Sequence, residues 1–186
     1  MNINWVLSDS AVIGPEVDIA QLKNIGSFWG GWRTWRSCVT DNVICNDTTK
    51  AAELVKRNFQ SECNFYMPNS HYQLLGRPVG VKLYEGEFTH DVTNRDEIIA
   101  MHLVAGSSDI VLLVGFDLSE PVINPDKLAE HRAHNYRGLV RQAIASNSQV
   151  QWVLVDHPAP VMKTMLDLEN LSADTMSAVL ALANDQ

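Results

Sequence analysis

Four aspartates stand directly behind apolar runs. Asp9 follows Ile3–Ser8, Asp47 follows Val43–Cys45, Asp117 follows Ile110–Phe116 and Asp156 follows Trp152–Val155. Carboxylates gathered on one rim can hold Mg²⁺, a ribose diol or an amine. Ser10, Asn46 and His157 sit beside three of them and add hydrogen-bonding groups to the same places. A plainer account competes with this one, because Asp and Asn also fill turns and cap helices after strands.

Two further segments carry chemistry. In Glu130–Arg137 the residues His131 and His134 are three apart and share a face if the segment is helical. With an acidic residue they could ligate a metal, or one could serve as a general base; a solvated polar helix face is the alternative. Gly26–Arg36 holds three tryptophans, two arginines and the pair Gly30-Gly31. Trp32 and Arg33 are suited to stack a ring and clamp an anion. The same composition suits a protein–protein contact across residues 29–36, or plain core packing. Glu85 and Glu87 form a weaker carboxylate pair of glycosidase type. His102 belongs to a core-facing helix, and nothing singles out His71 or His90. No G-x-x-x-x-G-K-[ST] and no G-x-G-x-x-G is present, which disfavours NAD chemistry and leaves a divalent metal open.

The elements that must position these residues alternate. Short apolar runs at Ile3–Ser8, Val43–Cys45, Cys63–Met67, Val79–Tyr84, Ile110–Phe116 and Trp152–Val155 read as strands. Helical patterns run from Thr48 to Phe59, through Glu97–Ala105 and from Pro125 to Ala145. Two closing helices are expected at Met162–Glu169 and Ala173–Ala183, the second capped by Ser172. The run at 110–116 is apolar on both faces, as a central parallel strand is. The expected fold is a single α/β domain over 1–186: a three-layer, Rossmann-like arrangement with a mostly parallel sheet of about five or six strands.

Bulk properties narrow the partners. The chain has 186 residues, 46% hydrophobic and 19% charged, enough to bury a large core. Its formal charge is −8, from 14 Lys plus Arg against 22 Asp plus Glu, which speaks against general nucleic-acid binding and against anionic membrane surfaces. Cys38, Cys45 and Cys63 do not make a disulfide framework, and no signal peptide or membrane-length run is evident, so a cytoplasmic protein is expected.

Two resemblances add to this reading. Asp109–Leu118 (DIVLLVGFDL), led in by the helix Glu97–Ala105, looks like the central block of the bacterial sialyltransferase-like Rossmann family. In that family the strand ends in a Gly-x-Asp element, and a histidine-bearing segment, a helix and a further strand follow. Gly115-Phe116-Asp117-Leu118, then His131 and His134, then Val150–Val155 keep that order. The resemblance implies His131 or His134 as catalytic base and Asp117 as a wall of the crevice. The family's first strand runs into an Asn-Gly-Pro-Ser-type nucleotide loop, where this chain has Ser8-Asp9-Ser10. The whole chain also resembles uncharacterised marine cyanophage proteins, around FWGGWRTWRS and EHRAHNYR, which implies a phage origin and work in the host cytoplasm or the virion.

The expectation is therefore a nucleotide- or nucleotide-sugar-binding protein, glycosyltransferase-like. Asp9, Ser10, Trp32, Arg33, Asn46, Asp47, Asp156 and His157 bind the ligand; His131, His134 and Asp117 are catalytic. A non-enzymatic phage protein using residues 29–36 to contact a host protein or a second copy is the first rival. A metal-dependent hydrolase is the second.

Overall fold

A computed structural model describes residues 1–14, 17–36, 40–85, 96–119, 127–157, 160–161, 165 and 167–184, without the side chains of 36, 127–134 and 182–184. Strand β1 is Ile3–Leu7, buried on both faces, and helix α1 (Ile19–Ile25) starts where the Asp18 carboxylate accepts the Ala20 N–H at 2.9 Å. Next come β2 (Gly26–Gly31) and β3 (Asn42–Ile44). Helix α2 (Thr48–Lys56) is capped by Asp47, whose Oδ1 accepts the Lys50 N–H at 2.9 Å. Strand β4 is Asn64–Pro68, α3 is Asn69–Leu74 and β5 is Lys82–Tyr84. The chain continues with α4 (Asp96–Ala105), β6 (Ile110–Val114), α5 (Lys127–Ala145), β7 (Gln151–Val155), β8 (Leu171–Asp174) and α6 (Met176–Asn184).

The strands form one sheet in the order β5-β4-β3-β2-β1-β6-β7-β8, and every neighbouring pair is parallel. Parallel neighbours need a crossover that returns the chain to the starting edge. Helices α4 and α5 cover one face over Val6, Ile44, Val111, Leu113, Trp152 and Leu154. On the other face Leu22 of α1 and Met176 and Val179 of α6 pack on Trp5, Leu7, Leu112 and Val114. Ala51 and Leu54 of α2 extend that layer over Val43, Cys45, Phe65 and Met67. The expected three-layer α/β class is therefore present, with eight strands rather than five or six.

Both additional strands lacked a local signature. β2 reads GSFWGG, and its glycines hide it in an apolar pattern; it is buried because Leu7 O and the Thr34 side chain close on Gly30, each 3.2 Å from where a Cβ would stand. β8 replaces the start of the helix expected at Ala173: Ser172, Ala173 and Asp174 pair with β7, and α6 begins after Thr175, whose Oγ1 accepts the Ala178 N–H at 3.2 Å. Asp167 and Glu169 lie in turns, and half of the helix expected at 162–169 lies outside the described residues. The strand expected over Val79–Tyr84 is confined to its last three residues.

The register sets the rim. Leu7 pairs with Gly30 on one side and Val114 on the other, and Val114 pairs with Val155. Ser8, Gly31, Gly115 and Asp156 therefore leave the sheet at one level. Strands β2 to β5 build outward from β1 on one side and β6 to β8 on the other. The switch in direction lies between β1 and β6, the place where open α/β sheets receive ligands.

Candidate functional site

At the switch itself the two loops close on each other. Gly115 has φ +78°, and a Cβ there would lie 2.5 Å from both Cα and N of Ala11. The Ser8 hydroxyl donates to Gly115 O at 2.6 Å, and the Ser10 N–H donates back to Ser8 Oγ at 3.1 Å. This seam divides the rim into two halves.

On the β1–β3 side two carboxylates face a bare backbone. A Cβ on Gly31 would stand 2.9 Å from Asp96 Cβ, 3.3 Å from Asp96 Oδ2 and 3.4 Å from Asp9 Oδ1. Asp9 accepts the Thr34 hydroxyl at 3.2 Å and pairs with the exposed Arg33 guanidinium at 3.5 Å. Asp96 opens α4, and its Oδ1 accepts the Asn46 N–H at 3.0 Å. Asn46 Oδ1 in turn accepts the Tyr84 hydroxyl at 2.6 Å, so β5 reaches across the end of β4 to fix this corner. Burial raises the Asp96 pKa to about 7; neighbouring Glu97 and Asp9 push the same way, against the Asn46 N–H and Arg33. Asp96 thus divides between acid and carboxylate near neutrality, so it can donate as well as accept. Burial, with Asp96 and the Cys45 thiol nearby, also raises the Tyr84 phenol well above its ordinary value and keeps it a donor.

Beside this corner the Trp32 ring lies under two cations, Arg33 at 5.3 Å and Lys50 at 4.9 Å from its centre. The other two tryptophans of the segment pack inward: Trp29 lies against Tyr66 at 5.3 Å, and Trp35 meets Phe59 edge-on at 4.7 Å.

On the β6–β7 side the expected residues are present but turned to the chain. Asp117 Oδ1 accepts the Ser119 N–H at 3.1 Å and the Ser119 hydroxyl at 2.5 Å. Partial burial works against its ionisation, but these bonds, with Arg137 and His157 nearby, hold its pKa below the ordinary range. Asp156 Oδ1 accepts the Met176 N–H at 2.9 Å and so caps α6. His157 Nε2 accepts the Leu118 N–H at 3.0 Å, which places a neutral ring's proton on Nδ1.

All four aspartates lie on the expected rim: Asp47 and Asp156 are caps, Asp117 closes a turn, and Asp9 meets Thr34 and Arg33 beside Gly31. Asn46, Trp32 and Arg33 join Asp9; Ser10 serves the seam. The side chains of His131 and His134, Glu87, His90 and Cys38 lie outside the described residues, while Glu85 is exposed beyond β5 and His71 lies on α3. Burial pushes the Cys45 thiol well above its ordinary value and Cys63 up to about 12, so neither is an activated nucleophile. Among the described residues no three His, Cys, Asp or Glu side chains are placed to hold a metal, and no helix is long and apolar enough to cross a membrane.

Sequence reading misses Asp96, Thr34 and Tyr84, and points to Gly31 only through the Gly30-Gly31 pair. The one available sign for Asp96 was an acidic entry to a helix apolar on every side. Comparison with family models, with curated proteins and with solved structures finds no match for this chain.

Proposed function

We propose that this protein binds a nucleotide or nucleotide-sugar on the β1–β3 half of the rim, as a glycosyltransferase-like protein. The observation that carries the reading is the pair of carboxylates, one able to keep its proton, beside the Gly31 backbone. Neighbouring sugar hydroxyls each need a donor or an acceptor; Asp9 accepts, and Asp96 does either. The half-buried Trp32 ring offers a face for a base or sugar, and Arg33 and Lys50 offer cations to phosphate. In this reading His131 or His134 supplies the base, as the family resemblance implies, and Asp117 shapes the rim beside it.

A thermal-shift panel of CMP, UMP, their sugar conjugates, NAD and ADP-ribose, with Mg²⁺ and Zn²⁺, tests it. A ligand at a hundred times its Kd should raise Tm by roughly 5–10 °C. Asp9→Asn and Arg33→Ala should each reduce that rise while leaving the protein folded. A flat panel, or a rise that survives both substitutions, rejects the proposal.

A further inference from the structure

The other half of the rim holds a buried cation that its surroundings do not satisfy. Arg137 follows Tyr136, whose ring stacks on Phe116 at 6.4 Å and 16°, drawing this turn of α5 against the exit of β6. The Arg137 side chain is only 12% exposed. A guanidinium stays charged and carries five N–H donors in a fixed fork, so burying it is costly unless those donors are met. Its ion pair with Asp117 is long, Nη2 to Oδ2 at 3.8 Å, beyond hydrogen-bond reach. Asp117 is itself 67% exposed, and Ser119 occupies its other oxygen. The Arg137 Nε is shielded from water and has no hydrogen-bond partner among the described residues. The loop that brings Asp117 here is held from behind, since His157 accepts the Leu118 N–H. The guanidinium is thus buried beside a fixed loop with its Nε donor unmet among the described residues.

We infer that Arg137 is an oxyanion-binding residue, whose Nε–Nη edge takes a phosphate or carboxylate group of a ligand at the β6–α5 corner. Both groups present paired oxygens that match the guanidinium fork. The inference uses neither Asp9 nor Asp96 and is tested without a nucleotide, so its failure is distinguishable from failure of the proposed function. The rival is internal: Asp117 turns inward and fills the edge.

The Nε–Hε signal of Arg137 in the ¹⁵N-labelled full chain separates these. Arg137→Lys, which keeps the charge and loses the fork, assigns the signal by removing it. Inorganic phosphate and acetate are then titrated separately at constant ionic strength. A saturable shift of this signal with either anion is expected, and the stronger of the two identifies the group. No saturable shift with either overturns the inference. Asp117→Asn gives a second reading if Arg137→Lys does not fold. Removing the competing carboxylate should tighten phosphate several-fold; unchanged or weaker binding, with the Nε signal moved by the substitution alone, makes Asp117 the natural partner and rejects the site.

Discussion

On the β1–β3 half of the rim Asp9 and Asp96 approach a backbone that carries no side chain; on the β6–β7 half Asp117 is tied to the nearby Ser119 N–H and Asp156 to the Met176 N–H at the start of α6. The residue types are alike, and the difference is in what the chain does next. β3 turns into α2 within four residues and β8 into α6 within two, so the free N–H groups of those helices claim Asp47 and Asp156. After β1 the chain runs on until Asp18 caps α1, and after β2 it makes only a short 3₁₀ turn at Thr34–Arg36. No helix start claims Asp9. Asp117 and Asp156 also stand behind long connections but accept the Ser119 and Met176 N–H groups, so what separates Asp9 is that no backbone N–H claims it among the described residues.

Gly115→Ala attacks the seam between the halves and should cause the largest loss. The new Cβ meets Ala11 backbone at 2.5 Å in a left-handed conformation, and a loss of about 3 kcal/mol or more is expected in urea denaturation. A loss below about 1 kcal/mol would mean the two loops are not packed as described.

Asp96→Asn sharpens the contrast in charge. Folded Asp96 keeps its proton up to about pH 7, whereas the unfolded chain releases it near its ordinary 3.8. Between those values the folded state binds more protons, so this group's contribution to stability falls as pH rises. Relative to the parent, Asp96→Asn should therefore gain stability between pH 4 and 8, on the order of 4 kcal/mol in total. Parallel pH profiles for the two proteins would place Asp96 in water.

On the other half, His157→Phe removes the acceptor for the N–H of Leu118, a fully buried residue. A cost of about 1–2 kcal/mol is expected, with the response to nucleotides unchanged. A lost nucleotide response would join the halves into one site. Arg33→Ala should change stability least, by under about 0.5 kcal/mol, because its pair with Asp9 is long and its side chain is 63% exposed. Any larger loss, measured by the same denaturation, would mark Arg33 as structural rather than ligand-facing.

Much of the frame is readable along the chain. β1 and β6 are apolar on both faces, and α2 and α4 carry the periodicity and entry residues of helices, so their existence follows from local pattern. β2 and β8 do not follow, for opposite reasons. The glycines of β2 make sense only once Leu7 and Thr34 lie against them, and β8 exposes three of its four residues at the sheet edge. Trp32 and Arg33 could be picked out by composition; that Trp29 and Trp35 turn inward depends on Tyr66 and Phe59.

The sequence by itself determined the α/β class and placed four aspartates at strand exits, because alternation and chain order are local properties. Only the tertiary structure decided how many strands the sheet has, which aspartate meets side chains rather than a backbone N–H, that Asp96 holds a proton beside Gly31, and that Arg137 is buried with its Nε unmet among the described residues. Those outcomes turn on burial and on competition for hydrogen bonds between residues far apart in the chain. Asp96 meets Asn46 and Gly31, Asp9 meets Thr34, and Ser8 meets Gly115, and no spacing between neighbours encodes such meetings.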